Sequence, residues 1–360
     1  MSCSITPLPI ERESELETIA VLKQCNAASR SLAELKGAAQ SIPNENILIS
    51  TITLQEAKDS SEVENIVTTH DELYKANLFG DYVNNPAAKE VRNYSFALRS
   101  GFERVRKDRI IRLWDILEIQ EELEKNQAGL RKLPGTDLKN QWTGEIVYTP
   151  PQEARQIEEL MNNLIRYIND ENLSSLDPLI KMAVIHYQFE SIHPFYDGNG
   201  RTGRIINILY MVAKGLLDLP VLYLSRYIIA NKLAYYTTIQ GVRDTGDWES
   251  WLLFMLKGVE ETSNQTITLI TRIKALMMQY KHRLRSELPK IYSQDLLNNL
   301  FKHPYTKIEF VMNDLQVGRI TATKYLKHLV EKELLIKEKL GVNNYYINAP
   351  LFDLLMKDES

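Results

Sequence analysis

The chain has 360 residues, of which 44% are hydrophobic and 25% are charged, and its formal net charge is −4. This length is more than one compact core usually holds, so we expect two or three structural units. The slightly acidic balance excludes a chain built as a whole to coat nucleic acid or an acidic membrane surface.

The N-terminus and the cysteines indicate where the protein works. Cys3 and Cys25 are the two cysteines, too few for a disulfide framework, which favours a reducing compartment. Residues 11–15 are mainly acidic, where a secretory signal would be basic and then apolar. The most apolar stretch, residues 205–224, contains charged side chains and is typical of a buried helix followed by a turn. We therefore expect a soluble cytoplasmic protein without a membrane partner.

Helical periodicity dominates the first two thirds of the chain. Leu16, Ile19 and Leu22 recur at helical spacing near the N-terminus. A stricter repeat has its apolar positions at Ile157, Leu160, Leu164 and Ile168. Between these patterns, residues 143–151 are β-prone and end in two prolines, which predicts a small hairpin or flap. Residues 205–213 are apolar nearly all round and predict a central buried helix.

The segment 193–204, His-Pro-Phe-Tyr-Asp-Gly-Asn-Gly-Arg-Thr-Gly-Arg, lies between two apolar helical patterns. Its Gly-Asn-Gly tripeptide permits positive φ and leaves backbone N–H groups pointing the same way, as in an anion-binding nest. The helix that follows adds its positive N-terminal end. Arg201 and Arg204 are three residues apart and project from one face of that helix. Together these features predict a phosphate site.

Two further side chains of this segment indicate chemistry. Asp197 would be repelled by phosphates unless a divalent cation lay between them, and one carboxylate with phosphate oxygens is a usual Mg²⁺ arrangement. A neutral imidazole at His193 can take a proton from an attacking hydroxyl. Each residue alone has an ordinary explanation, such as a structural histidine or a simple turn. Their joint occurrence in one short segment favours a catalytic site.

The C-terminal part predicts a separate small domain. Residues 334–339 and 345–348 are β-prone on either side of a turn, which predicts a hairpin. Three short helical patterns precede it, at residues 294–301, 307–313 and 321–332. Three helices and a hairpin are typical of a winged helix. From residue 290 to 350 nine basic residues face six acidic ones, which is thin for autonomous DNA binding, so that function is not favoured.

The segment 193–204 resembles the complete signature of the Fic family, and the resemblance extends to the N-terminal helical region and to residues 227–251. It implies a Fic helical core with a small β-hairpin flap, an N-terminal helical region and a C-terminal winged helix. We divide the chain accordingly. The expected units are residues 1–100 (N-terminal region with the inhibitory motif), 101–260 (catalytic core), 261–290 (helical connector) and 291–360 (winged-helix-like domain).

The resemblance also implies an activity, the transfer of AMP from ATP to Ser, Thr or Tyr hydroxyls of target proteins and of the protein itself. In that activity His193 is the general base and Asp197 holds Mg²⁺, while Arg201 and Arg204 face the β- and γ-phosphates. The flap at 143–151 binds an extended segment of the target, unless it is an ordinary surface hairpin. The ATP-binding set is Glu64, His193, Gly198, Asn199, Gly200, Arg201, Thr202, Gly203, Arg204 and Asn231.

Ser60, Glu64 and Asn65 match the family's inhibitory pattern of Ser or Thr, three residues, Glu, then Gly or Asn. We expect an ionised Glu64 to form an ion pair with Arg204, and a carboxylate–guanidinium pair can be bidentate. The carboxylate would then lie where the γ-phosphate belongs. The alternatives that remain open are removal of AMP, transfer of another nucleotidyl or phosphoryl group at the same site, and a DNA-binding winged-helix regulator. A homodimer is left open as well.

Overall fold

The computed structural model describes residues 5–79, 85–139, 143–340 and 343–356, and the fold is mainly helical, as predicted. The N-terminal helices are α1 (Ile19–Gln40), α2 (Glu45–Val63), α3 (His70–Phe79) and α4 (Pro86–Asp108). The central helices are α5 (Leu113–Glu124), α6 (Ala154–Asn169), α7 (Pro178–Ile192), α8 (Asn199–Ala213), α9 (Leu224–Ala230), α10 (Lys232–Thr245) and α11 (Trp248–Glu287). Among these described residues, no helix has both the length and the apolar character needed to cross a membrane.

Helices α7 and α8 form the centre of the molecule, which confirms the prediction of a central helix at 205–213. Almost every residue of both helices is buried, and in α8 this includes the polar first turns as well as the apolar stretch 205–213. Asp177 begins α7 by accepting a hydrogen bond from the backbone N–H of Leu179 (2.8 Å), and Pro178 occupies the first turn. A short turn joins α7 to α8 and carries the predicted site.

The 40-residue helix α11 runs from the core to the C-terminal domain and packs along α1. Its first turns are anchored by the fully buried Trp251, whose Nε1 donates to the carbonyl of Ala183 in α7 (3.0 Å). The expected division between core and connector at 260/261 falls inside this helix. Core and connector are therefore continuous in backbone structure.

The flap is a two-stranded antiparallel ribbon of β1 (Leu138–Lys139) and β2 (Ile146–Tyr148). The predicted hairpin at residues 143–151 contains β2 alone, so placing the whole hairpin there was wrong. The partner strand lies upstream and has two residues, which is too short to show strand alternation in the sequence. Part of the turn between the strands, at 140–142, lies outside the described residues.

The C-terminal domain contains the predicted three helices and hairpin, with one additional short strand and a last helix that the sequence did not predict. Its elements are α12 (Gln294–Lys302), β3 (Tyr305–Thr306), α13 (Ile308–Leu315), α14 (Arg319–Glu331), β4 (Ile336–Leu340), β5 (Asn343–Ile347) and α15 (Ala349–Met356). The strands form one antiparallel sheet in the order β3-β5-β4. This is the element order expected of a winged helix.

Helix α2 contacts both the central helices and the C-terminal domain. It packs against α4, α8 and α9 and also against α12. At its middle, Gln55 Nε2 donates to the carbonyl of Leu355 in α15 (3.2 Å). The neighbouring helix α3 adds Asp71, which accepts from the hydroxyl of Tyr305 (2.6 Å). The N-terminal region therefore contacts both the core and the C-terminal domain.

The close approach of α4 to α8 depends on Gly101, and it can be tested by mutation. A Cβ at this position would lie 2.9 Å from Leu209 Cδ1 and 3.1 Å from Ile119 Cδ1. We expect Gly101→Val to lower the free energy of unfolding by about 1–3 kcal/mol through overpacking. The control Gly37→Val places the same side chain in α1, where no described atom beyond the adjoining helix backbone lies within 4 Å of a Cβ, and should change this free energy by less than about 0.5 kcal/mol. Equal effects in urea unfolding would contradict the packing described here.

Candidate active site

The turn between α7 and α8 has a backbone shape that its residues make accessible. His193 ends α7 in the left-handed region (φ 48°), and its N–H donates to the carbonyl of Phe189 (2.9 Å). Gly198 precedes α8 with φ 78°. Asn199 closes the turn, because its Oδ1 accepts from the N–H of Phe195 and its Nδ2 donates to the same residue's carbonyl (both 2.8 Å). The Asn199 side chain is thus structural, so only the backbone N–H of this residue can contribute to an anion site.

Arg204 is the most fully coordinated cation of the site. Its side chain is 2% exposed and points from α8 towards the end of α2. The Nε atom donates to Ser60 Oγ (2.7 Å), and Nη2 donates to the Ser60 carbonyl (2.9 Å) and to Glu64 Oε1 (2.8 Å). The two-point carboxylate pair considered from the sequence is therefore a one-point contact from Nη2, and Ser60 accepts from Nε and from the second N–H of Nη2. The predicted residues Ser60, Glu64 and Arg204 do meet.

The Glu64 carboxylate lies against the glycine turn itself. A Cβ on Gly200 would be 2.2 Å from Glu64 Oε1, so only a glycine leaves room for the carboxylate at this position. Asn65 follows in the left-handed region (φ 64°), which ends α2 and explains why Gly or Asn is required there. Its Oδ1 accepts from Lys232 Nζ (3.0 Å). A negatively charged side chain thus lies against the Gly-Asn-Gly turn at which the sequence analysis expects an anion.

The charges around Glu64 keep it ionised. Burial alone, the largest influence, would raise the pKa of this carboxyl group. The charge of Arg204 and its hydrogen bond, together with the charges of Arg201 and Lys232, outweigh burial and hold the pKa of Glu64 below its ordinary value. At neutral pH the contact with Arg204 is therefore one between full charges.

Arg201 is also paired, with two acids that the sequence analysis did not identify. Its side chain is 3% exposed, and it donates to Glu124 Oε1 (2.7 Å) and Glu90 Oε2 (3.3 Å). Glu124 also lies against Gly198, where a Cβ would be 2.6 Å from its Oε1. From the sequence we expected a carboxylate partner for Arg204 alone, whereas in the structure each of the two guanidinium groups has one. Neither acid belongs to a local motif, and each is far from Arg201 in sequence.

His193 and Asp197 differ sharply in their surroundings. Burial, followed by the charges of Arg131 and Arg243, lowers the pKa of His193 to about 4, so its imidazole is neutral at physiological pH. Its Nδ1 is buried without a hydrogen-bond partner among the described residues. Asp197 is exposed, and its Oδ1 accepts from the N–H of Gly198 (2.7 Å). One residue thus suits proton transfer and the other suits a solvent-exposed ion.

The donor set at Asp197 fits a Mg²⁺ ion that is bound together with phosphates. Within the described residues there is no group of three or more His, Cys, Asp or Glu side chains that could hold a metal ion. A single exposed carboxylate beside the turn that the sequence predicts as an anion site supplies one hard oxygen ligand, and phosphate oxygens and water complete such a shell.

The remaining predicted residues lie further from the glycine turn. Thr202 is fully buried and its Oγ1 has no partner in the described chain, so only its backbone N–H, which donates to the Gly198 carbonyl, faces the turn. Gly203 packs against the carboxyl group of Glu190. Asn231 lies between α9 and α10, and its Nδ2 donates to the Tyr227 carbonyl (3.0 Å). The structure shows no hydrogen bond between Asn231 and the other predicted site residues it describes.

Two neighbouring serines provide a test of the Arg204 contact. Ser60 and Ser61 are both fully buried, but only Ser60 Oγ accepts from Arg204, whereas Ser61 Oγ has no partner among the described residues. We expect Ser60→Ala to lower the free energy of unfolding by about 1–3 kcal/mol, because a buried guanidinium N–H loses its acceptor. Ser61→Ala should be close to neutral. A thermal-unfolding comparison in which both variants behave alike would contradict this geometry.

Three sequence profiles match the chain in succession. The profile of the Fic/DOC family N-terminal region matches residues 22–103, and that of the Fic/DOC family matches residues 110–211. The profile described as the protein adenylyltransferase SoFic-like C-terminal domain matches residues 276–351.

Curated relatives and solved structures agree with the profiles. Protein adenylyltransferase fic-1 of Caenorhabditis elegans is 28% identical over 117 residues, which is 32% of this chain and 22% of that protein. A probable protein adenylyltransferase of Aquifex aeolicus is 27% identical over 188 residues, 51% of this chain and 55% of that protein. The match thus spans about a fifth of the worm relative and about half of the bacterial one.

The fold has counterparts among solved structures. A Fic family protein from Desulfovibrio desulfuricans superposes with a TM-score of 0.59 and 20% identity, over 96% of this chain and 98% of that one. Residues 134–508 of Fic-1 from C. elegans superpose with a TM-score of 0.55 and 20% identity, over 70% and 74% of the two chains. With three family profiles along its length, a matching fold and the complete signature at the turn between α7 and α8, the chain belongs to the Fic family.

Proposed function

We propose that this protein transfers AMP from ATP to Ser, Thr or Tyr hydroxyls of target proteins and of itself, and that Glu64 restrains the reaction. One observation carries the proposal. The carboxylate of Glu64 lies against Gly200 and Arg204, at the glycine turn of the Fic signature, which supports an anion site there. Relatives named protein adenylyltransferases support the chemistry.

Phosphate binding follows from the groups that hold Glu64. The start of α8 presents backbone N–H groups and the positive end of a 15-residue helix. Arg204 supplies a guanidinium group, which takes the γ-phosphate once the Glu64 carboxylate has left. The second guanidinium, that of Arg201, is held in place by Glu90 and Glu124 and faces the β-phosphate. Positioning and charge neutralisation of this kind account for most catalysis of phosphoryl-group transfer.

The reaction is a displacement at the α-phosphorus of ATP. The target hydroxyl oxygen forms a bond to that phosphorus, the bond to the oxygen bridging to the β-phosphate breaks, and pyrophosphate leaves. The hydroxyl proton passes to His193, whose lowered pKa of about 4 leaves the imidazole neutral and able to accept it. Asp197 would hold Mg²⁺, which when bound neutralises charge on the nucleotide phosphates.

The flap supports a protein substrate. Ile146 and Val147 of β2 are 57% and 43% exposed, so the ribbon offers apolar side chains to a partner segment. The next residue, Tyr148, donates its hydroxyl to the carbonyl of Ser191 (2.9 Å), two residues before His193. An extended target segment that pairs with this ribbon would thus lie near the imidazole.

The role of His193 gives the first prediction of this section. His193→Ala should bind ATP nearly as wild type does and lose about 10²- to 10⁴-fold in AMP incorporation, because a general base is removed. Since the imidazole is neutral only above its pKa, the wild-type rate should fall with acid near the lowered value of about 4 rather than near 6.5. Labelling with ATP radioactive at the α-phosphate measures both effects. Wild-type labelling by His193→Ala would show that the base is another group.

The metal requirement is tested at Asp197. We expect Asp197→Ala to lose Mg²⁺-dependent turnover, and EDTA to abolish labelling by the wild type. Restoration by added Mg²⁺ should occur in the wild type and fail in the variant. Undiminished labelling in chelator would exclude the metal.

Release of restraint is tested at Glu64. Glu64→Gly should label itself and its targets far faster than wild type, since a misplacement of about 1 Å at phosphorus costs roughly a hundredfold. Adding Arg204→Ala should erase the gain. The ratio of variant to wild-type rate should stay constant between about pH 6 and pH 8, because the lowered pKa of Glu64 keeps it ionised there.

A matched control separates loss of the carboxylate from a weakened helix end. Glu62→Gly places the same residue in the last turn of α2, but Glu62 binds Lys58 (3.2 Å) instead of Arg204. This control should keep the wild-type rate. The restraint hypothesis fails if Glu64→Gly, folded and binding ATP, incorporates no more labelled AMP than the control does.

A further inference from the structure

The carboxyl end of α7 is covered by side chains from other elements. A helix leaves its last carbonyl groups without partners inside the helix. Here each carbonyl from residue 190 to 193 accepts a hydrogen bond from a distant side chain. The donors are Arg243 Nη2 to Glu190 (3.5 Å), Tyr148 Oη to Ser191 (2.9 Å), Arg131 Nη2 to Ile192 (3.4 Å) and Arg131 Nε to His193 (2.8 Å).

Arg131 is the centre of this arrangement. It follows α5, is fully buried, and also donates from Nη2 to the carbonyl of Pro151 (2.8 Å), just beyond the flap. Its backbone N–H donates to the carbonyl of Pro194 (2.8 Å). Among the described residues it forms no ion pair with a carboxylate, so carbonyl groups and the negative end of α7 offset the burial of its charge.

Tyr148 connects the other side of the flap to the same helix end. Its side chain is buried although its strand lies at the surface. The guanidinium carbon of Arg243 lies 4.0 Å from the Tyr148 ring centroid, and Arg243 Nε donates to Ser191 Oγ (3.3 Å). Polar contacts at residues 190–192, which directly precede His193, therefore join the end of α7 to the flap and to α10.

We propose that Arg131 and Tyr148 are positioning residues for His193, which bind the end of α7 to both sides of the flap and so hold the imidazole in register with a target lying on the flap. The inference rests on the proposed role of His193 as the base. His193 needs such support, because it adopts a left-handed backbone conformation that a non-glycine residue adopts at a cost. A displacement of about 1 Å between base and substrate is enough to lower the rate roughly a hundredfold.

The charged and polar groups that face His193 allow the roles of Arg131 and Tyr148 to be tested separately. Arg131 and Arg243 disfavour the imidazolium ion, whereas the Glu64 carboxylate and the backbone of Glu190 favour it. Loss of the Arg131 charge therefore raises the pKa of His193. Loss of the Tyr148 hydroxyl removes a hydrogen bond and no charge, so it disturbs position alone.

The experiment compares Arg131→Met, Arg131→Lys and Tyr148→Phe in the full chain, with Arg155→Met as the control. Arg155 is an exposed arginine of α6 that pairs with Glu159 on the surface. We measure kcat and the ATP dissociation constant with ATP labelled at the α-phosphate. The pKa of His193 is measured by NMR of labelled histidine, assigned with His193→Ala, which requires no substrate.

We expect Arg131→Met to lower kcat roughly a hundredfold while ATP affinity stays within about twofold, and to shift the His193 titration to higher pH. Arg131→Lys should return the titration towards wild type and leave kcat low, because one ammonium group cannot reach three carbonyls. Tyr148→Phe should lower kcat with no shift in titration. Arg155→Met should match wild type in every measurement.

Wild-type kcat in a folded Arg131→Met protein would overturn the inference. If that variant does not fold, Tyr148→Phe decides, since it removes one oxygen atom, and wild-type kcat there overturns the inference equally. Failure of the proposed function has a different signature. In that case His193→Ala itself labels at the wild-type rate, whereas failure of the inference alone leaves His193→Ala inactive and the positioning variants normal.

Discussion

The buried guanidinium group of Arg204 requires acceptors, and the arrangement of the N-terminal region around the core satisfies that requirement. A charge removed from water costs several kcal/mol unless it is paired and fully hydrogen-bonded. Ser60 and Glu64, both at the end of α2, supply all the hydrogen bonds that this guanidinium makes in the described structure. The cation that binds α2 to the core is thus the same cation that the proposed nucleotide needs. In the proposed function, restraint and catalysis compete for this one group.

The other buried arginines near the turn also have their charges offset by hydrogen-bond acceptors, but the acceptors are of different kinds. Arg201 has two carboxylates, Glu90 and Glu124, whereas Arg131 has carbonyl groups only. The difference matters for His193. A guanidinium paired with acids has most of its charge offset locally, but one bound to carbonyls still acts on its neighbours and disfavours a second positive charge. Arg131 therefore adds to the effect of burial on the pKa of His193 and also binds the backbone of the turn.

The sequence predicted what depends on local pattern and missed what depends on distant pairing. The central helix and the glycine turn follow from periodicity and from a compact motif, and the meeting of Glu64 with Arg204 was implied by the resemblance to the family's inhibitory pattern. Glu124 and Arg131 belong to no motif, and their contacts form only when segments far apart in the chain pack together. The flap was placed too late because β1, Leu138–Lys139, is too short to show alternation. The continuity of α11 was missed because the polar face of its second half was interpreted as a connector separate from the core.

The position of α2 couples the Glu64 contact to the C-terminal domain. One end holds Glu64 against Arg204, and its middle and flank contact the C-terminal domain through Gln55, Leu355 and α12. A ligand of that domain that favours one placement of α2 necessarily changes the free energy of the Glu64 contact. By thermodynamic linkage, a nucleotide that displaces Glu64 changes the affinity of that ligand by the same factor. In the proposed function, the C-terminal domain is therefore coupled through α2 to the nucleotide state of the site at Arg204.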